Sequence, residues 1–425
     1  MLICPLFQWA QDNPLHPCII TQERSWSYSE IDALVTGVCL ELQERSLQRL
    51  AFIATPCVPT ILLILAALRL GISTCPLSAQ LPSAQLSDAL AQLGTPHFLN
   101  SHALPMRPQV SSRLPLLERK ALATCLFTSG SSGRPKIACH SVDNHYLSAV
   151  GILNAIGLTQ RARYHLSLPL HHVSGLAILF RTLVAGATLI LSSSPLELSP
   201  SHISLVPTQL YRWIDRSELS QLHCILIGGA PISDLLRKEA LLRRLPLFET
   251  YGLTEMSSAV TLNGVLPHRE VKIQDGEIFV RGGTLFQGYW DAALQQCTRP
   301  LDLEGWLPTR DLGAWDAEGT LRILGRKDRL FISGGENIQP EEIETALCQI
   351  PGIIRATILP LPDPEWGSRP VAFIEDTTHA HTASSLYLAL APLLPSFKRP
   401  VRVLPYPQGQ DGMKVCFDQL YTYLS

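Results

Sequence analysis

Between Leu126 and Lys136 the chain reads LFTSGSSGRPK, eleven residues that hold the hydroxyls of Thr128, Ser129, Ser131 and Ser132, the glycines Gly130 and Gly133, and the cations Arg134 and Lys136. A loop of this kind after the apolar LATCLF can fold backbone N–H groups and hydroxyls around phosphate oxygens while the cations supply charge. Phosphate binding is the chemistry it predicts. It is not the common nucleotide loop G-x-x-x-x-G-K-[ST], because Gly130 and Gly133 are three apart and a proline precedes the lysine. Standing alone, the stretch would be equally well read as a solvated serine-rich linker.

Other chemistry-bearing stretches follow in order: LPLHHVSG with His172, IGGAPI with Gly229 and Ala230, YGLTE from Tyr251 to Glu255, GWLPTRDLG with Asp311, GRKDRLFISGGENIQPEEIE with Arg326, and DGMK ending in Lys414. In YGLTE the Tyr251 ring offers a face on which adenine can stack, Gly252 gives a small spacer, Thr254 can approach a phosphate, and the hard carboxylate oxygens of Glu255 suit Mg2+. Taken by itself the pentapeptide is an ordinary strand–turn–helix. Asp311 can accept both ribose hydroxyls with its two oxygens, or serve as a turn aspartate.

The stretch from Ser174 to Ala185 reads as an apolar helix interrupted by one cation, Arg181. Ser174 and Arg181 are seven positions apart, which puts both on one helical face. Burying such a cation without a partner is costly, so a protein carboxylate or an anionic ligand should meet it; the alternative is an arginine snorkelling at the helix edge.

Short apolar runs alternate with helix-like segments over most of the chain, as in RLAFIAT then PTILLILAALRLG, and HCILIGG then PISDLLRKEALLRR. The pattern predicts an α/β fold of parallel βα sheets. Between Gly276 and Gly325 brief strands punctuated by glycine predict a small antiparallel β unit, and a helix is expected to start near Pro340. The polar FIEDTTHAHTASS reads as an exposed loop. The expected organisation is a large N-terminal domain, 1–327, and a smaller α+β C-terminal domain, 328–425, at a length that suits two or three domains.

Composition narrows the partners. Apolar residues make up 46% and charged residues 16%, which excludes disorder, and a net charge of −2 without a basic run gives no support for nucleic acid or an anionic membrane. The most apolar run, Ile61 to Leu68, is far short of the roughly 20 residues of a membrane span. The N-terminus carries no basic start and no long apolar region, so neither signal peptide nor anchor is expected. Eleven cysteines with no C-x-x-C pair argue against a disulfide framework and a zinc site, and suit a reducing cytoplasm.

Taken together and in this order, these stretches resemble the adenylate-forming superfamily of acyl-CoA ligases, luciferases and adenylation domains, from about Trp26 to the end. The resemblance implies an AMP-forming acid–thiol ligase using ATP, Mg2+ and CoA, with a mobile C-terminal domain. It implies Arg326 on the ribose and phosphate side, Asp328 as the hinge, Gly334 and Gly335 beside the pantetheine arm of CoA, His172 and Thr254 in catalysis, and Lys414 as the catalytic lysine, although Met413 stands where the family commonly has glycine directly before it. Arg310 stands where the family usually has glycine, so a shifted backbone is expected there. Within the superfamily, LPL.HVSG...L.R.L..GA, VPTQLYR and HREVKI look like the ligases of 2-succinylbenzoate, a dicarboxylate whose unactivated ring carboxylate would meet Ser174 and Arg181. Another aromatic or fatty acid, a carrier protein as acceptor, and a non-enzymatic nucleotide-binding regulator are the remaining readings. Homo-oligomerisation is compatible with the sequence.

Overall fold

The computed structural model describes residues 1–424 apart from 46, 96, 111–113, 129–134, 195, 379–380 and 408–416. Two sheets form the body. The first has seven strands in the order Leu247–Glu249, Cys224–Ile227, His202–Leu205, Arg163–His165, Thr188–Ile190, Pro17–Ile20 and Ser25–Ser27; every pair is parallel except the last. Three of its inner strands, Cys224–Ile227, His202–Leu205 and Thr188–Ile190, are buried along their whole length, as the continuous apolar CILI requires of a strand covered on both faces.

The second sheet has six strands in the order Gln296–Thr298, Gly288–Asp291, Lys136–Ser141, Leu122–Thr128, Ser73–Leu77 and Arg49–Ile53. Its last three strands run parallel, but Lys136–Ser141 returns antiparallel to Leu122–Thr128. A parallel crossover needs a dozen or more residues, and only seven separate these two strands, so the connection has to be a hairpin. The expected parallel βα architecture therefore ends at the serine-rich loop. The small antiparallel unit is present as the strands Arg269–Gln274, Glu277–Gly282, Leu307–Trp315 and Leu321–Arg326. It begins earlier than expected and gives up Gly288–Asp291 and Gln296–Thr298 to the six-stranded sheet.

Helices cover the sheets. Val142–Leu153 starts on a capping box in which the Ser141 hydroxyl accepts from the Asn144 N–H and the Asn144 side chain accepts from the Ser141 N–H. It packs on Val173–Ala185, and both lie against the strand Ser258–Thr261. Past residue 330, Ile338, Ile343, Leu347, Ile358, Ile374 and Leu390 form a core cluster of their own under the sheet Ile353–Asp363, Gly367–Asp376 and Arg402–Pro405. The helix expected near Pro340 runs from Pro340 to Leu347. The expected exposed loop FIEDTTHAHTASS is corrected: its first four residues close the Gly367–Asp376 strand with Phe373 fully buried, because the phenyl and Ile374 side chains belong to a core. Its last three open the helix Ala383–Ala389. Among the described residues no helix is long and apolar enough to cross a membrane.

Burial depresses three histidines of this body: His140 and His165 are each pushed down to about 4, and His145 is held well below its ordinary value. They are neutral in the fold and take protons below about 6.5 when unfolded, so their contribution is full above that pH and is lost as pH falls towards 4. At pH 5, 1.5 units below the unfolded value, His140 and His165 each withdraw about 2 kcal/mol. The melting temperature should fall between pH 7 and pH 5, as calorimetry can measure; a flat profile would mean that these imidazoles charge inside the fold.

Candidate active site

Thr128 and Lys136 face each other across the hairpin, and the Thr128 hydroxyl donates to the Lys136 carbonyl at 3.3 Å. Ser129, Gly130, Ser131, Ser132 and Gly133, expected at the tip, lie outside the described residues, as does Lys414. The Lys136 ammonium sits 4.8 Å from the centre of the Tyr289 ring, and the Tyr289 hydroxyl donates to Glu255 Oε1 at 2.7 Å. Burial and the neighbouring Glu255 carboxylate raise the Tyr289 phenol well above its ordinary value, so it remains a donor. The loop base and the YGLTE carboxylate are thus joined through Tyr289, a residue to which the sequence pattern assigns no role.

YGLTE is not the strand–turn–helix its isolated pattern suggests. Strand Tyr251–Leu253 passes through a single 3-10 turn, Thr254–Met256, into the antiparallel strand Ser258–Thr261. The turn is held by its carbonyls: His140 Nε2 donates to Thr254 O at 2.7 Å, and the Phe286 N–H to Glu255 O at 2.8 Å. Gly252 is obligatory here, since a Cβ would stand 2.3 Å from the Ser258 carbonyl oxygen. We expect Gly252→Ala to lose adenylation activity and to lower the melting temperature by several degrees, on the order of 1–3 kcal/mol of overpacking; an unchanged melt would mean that the hairpin can open at no cost.

The ribose-side residues also converge. Asp311 Oδ2 accepts the Tyr251 hydroxyl at 2.7 Å and Oδ1 accepts Arg326 Nη1 at 3.0 Å, while the same guanidinium holds Asp328 through two bonds of 3.0 and 2.9 Å. Burial raises the Asp311 carboxyl above its ordinary value against the opposing pull of Tyr251 and Arg326. Each carboxylate oxygen can accept a second bond, which leaves capacity for ribose hydroxyls. At Arg310 the backbone is left-handed, φ 62°, with its N–H on Glu277 Oε1 at 3.1 Å. The geometry a glycine would adopt freely is thus kept by an arginine. Gly229 and Ala230 follow the parallel strand Cys224–Ile227, where the Thr250 N–H bonds to Ile227 O at 2.8 Å and draws Tyr251 alongside. Clefts at the carboxyl ends of parallel strands are the usual place for a ligand in such sheets.

Gly334 and Gly335 form the tip of a two-residue hairpin between Phe331–Ser333 and Glu336–Ile338, with φ 58° and 84°. A Cβ on Gly334 would lie 2.4 Å from the Trp366 ring. Turn geometry alone accounts for both glycines.

The acid side is built on the helix Val173–Ala185, which has His172 at its N-cap and Ser174 in its first turn. The His171 and His172 rings lie 4.4 Å apart, and burial lowers the His171 imidazole. Arg181, two turns after Ser174, is 2% exposed, which excludes a snorkelling arginine. Its Nη2 donates to Ser258 Oγ at 3.1 Å, and its buried Nε has no partner. Among the described residues no carboxylate pairs with it. Of the two partners expected for this cation, a protein carboxylate and an anionic ligand, the first is not found among the described residues.

The AMP-binding enzyme family matches residues 6–290. The chain belongs to this family. Its relatives within the AMP-binding enzymes include the 2-succinylbenzoate–CoA ligase of Escherichia coli strain K12, 36% identical over 89% of this chain and 87% of that protein. Among solved structures, an arginine-to-lysine variant of E. coli MenE with bound OSB-AMS is 30% identical with a TM-score of 0.87, over 100% of this chain and 99% of that one. The o-succinylbenzoate CoA synthetase of Bacillus subtilis, in complex with the acyl-adenylate intermediate OSB-AMP, is 26% identical with a TM-score of 0.84 over 98% of both chains. As an AMP-binding enzyme with this α/β fold, the chain carries the resemblance read from its motifs over its whole length.

Proposed function

We propose that this enzyme joins 2-succinylbenzoate to CoA at the expense of ATP, releasing AMP and pyrophosphate. The observation that carries the choice of acid is Arg181, buried and met among the described residues only by the hydroxyls of Ser258 and Tyr164, on the helix that also bears Ser174. An unpaired buried guanidinium costs several kcal/mol unless a charge arrives to meet it, and the ring carboxylate of a dicarboxylic acid is such a charge. The 2-succinylbenzoate–CoA ligases among the relatives act on that acid by name.

In the first step the succinyl carboxylate attacks the α-phosphorus of ATP and pyrophosphate leaves, forming the acyl-adenylate. Lys136, the serine-rich loop and Lys414 balance charge on the phosphates. Thr254 and His172 flank the reacting groups, while Asp311 and Arg326 hold the ribose. Glu255, a hard carboxylate joined through Tyr289 to the phosphate loop, fits Mg2+, which when bound neutralises phosphate oxygens. In the second step the CoA thiol attacks the acyl carbonyl and AMP departs, its pantetheine arm passing Gly334 and Gly335. The residues from 328 onward turn about Asp328 between the two steps, a reading supported by their separate core. The use of ATP and CoA supports a cytoplasmic location.

Exchange of labelled pyrophosphate into ATP, run with 2-succinylbenzoate, benzoate and a medium-chain fatty acid, tests the reading. Exchange with 2-succinylbenzoate alone is expected; exchange only with the fatty acid would overturn it. Asp328→Pro should retain exchange and lose thioester formation, and equal loss of both would remove the hinge.

A further inference from the structure

The strand that presents Ser258 to Arg181 is itself held by a second buried arginine. Arg269, 5% exposed, donates from Nε to Ala259 O at 2.6 Å, from Nη1 to Pro267 O at 2.6 Å, and from Nη2 to both Ser148 O and Ser148 Oγ at 3.1 Å. The Ser148 hydroxyl in turn donates to Ser257 O at 2.6 Å. The space is reserved for this guanidinium: a Cβ on Gly151, one turn along the same helix, would lie 2.4 Å from Arg269 Nη1. The segment so clamped is strained, with Ser257 at φ 56° and Ser258 at φ 107°, values that a non-glycine residue keeps only where its surroundings fix it. Every acceptor of Arg269 among the described residues is neutral. Burial first, and then repulsion from Arg181, lowers Arg269 to about 9.

We infer that Arg269 is a positioning and specificity residue of the acid pocket, clamping the Ser257–Ala259 segment that aims Arg181 and adding a second buried positive charge beside it. The inference rests on the dicarboxylate reading. A fold that only needed the clamp could use neutral donors to reach the same carbonyls, whereas a second buried cation raises the cost of Arg181 until an anion binds. The clamp and the charge together favour an acid carrying a second carboxylate over one that lacks it.

The test compares 2-succinylbenzoate with 4-oxo-4-phenylbutanoate, the same acid without the ring carboxylate, as substrates of the full-length enzyme. Arg269→Met should lower the ratio of kcat/KM for the first acid to that for the second by about tenfold or more, chiefly through KM, as loss of a charged interaction does. Arg269→Lys, which keeps the charge but not the fork, should restore part of the ratio. A purely structural residue would depress both acids alike, and an unchanged ratio overturns the proposal. Should Arg269→Met not fold, Ser148→Ala reports instead: it releases one arm of the clamp and should shift the ratio in the same direction, and no shift overturns the proposal. Arg181→Ala separates the two levels. If it fails to discriminate between the acids, the dicarboxylate reading itself falls; if it discriminates and Arg269→Met does not, only the role of Arg269 falls.

Discussion

Arg181→Ala raises the KM for 2-succinylbenzoate by about ten- to a hundredfold, the equivalent of the roughly 1.5–3 kcal/mol of a charge-assisted hydrogen bond, while the KM for ATP stays near its original value. The direction follows from the charge balance of the helix Val173–Ala185: a guanidinium met among the described residues only by neutral hydroxyls, with a buried, unpartnered Nε, gains more from an incoming carboxylate than one already paired with a carboxylate would. The same balance predicts an opposite effect on stability. Arg181→Met keeps most of the volume and removes the isolated charge, so the free enzyme should melt at or above the wild-type temperature and lose the upward shift that 2-succinylbenzoate gives. Unchanged kinetics in Arg181→Ala would take the residue out of the pocket. A lower melting temperature for Arg181→Met would show that the charge is paired in the free enzyme.

Much of this site was legible one residue at a time and little of it pairwise. The helix carrying Ser174 and Arg181, the strand before the serine-rich loop and the helix beginning at Pro340 follow from local periodicity and proline position, and they stand where expected. Tyr251 and Asp311 stand out by their chemistry and Arg326 by the family resemblance, and the fold brings them into one hydrogen-bonded chain. The partners that tune them were not visible. Ser258 meets Arg181 across 77 residues of sequence, Tyr289 meets Glu255 across 34, and His140 reaches Thr254 across 114. No periodicity encodes such distances. The strain at Ser257 and Ser258 was equally hidden, because serine has no preference for positive φ and the conformation is imposed by Ser148 and Arg269 from other elements. One misreading was avoidable: the apolar pair at the start of FIEDTTHAHTASS already argues for a strand.

Glu255→Gln should lower pyrophosphate exchange by on the order of a hundred- to a thousandfold, the scale of the several kcal/mol that a metal ion's neutralisation of phosphate charge supplies. The substitution is nearly isosteric, and its amide oxygen can still accept the Tyr289 hydroxyl that now reaches Glu255 Oε1 at 2.7 Å. The turn itself should survive, since Thr254 and Glu255 are pinned through their carbonyls by His140 and Phe286 rather than through their side chains. What the amide lacks is charge. A neutral oxygen is a weak ligand for Mg2+, so the variant should need a higher Mg2+ concentration for half-maximal exchange, and excess Mg2+ should recover part of the rate. Melting temperature separates this from damage to the fold, because the backbone anchors of the turn do not involve the substituted side chain. A variant with a wild-type melt, a raised Mg2+ requirement and depressed exchange assigns the metal to Glu255. An unchanged Mg2+ requirement would assign it elsewhere and leave Glu255 as the residue that orders Tyr289 above Lys136.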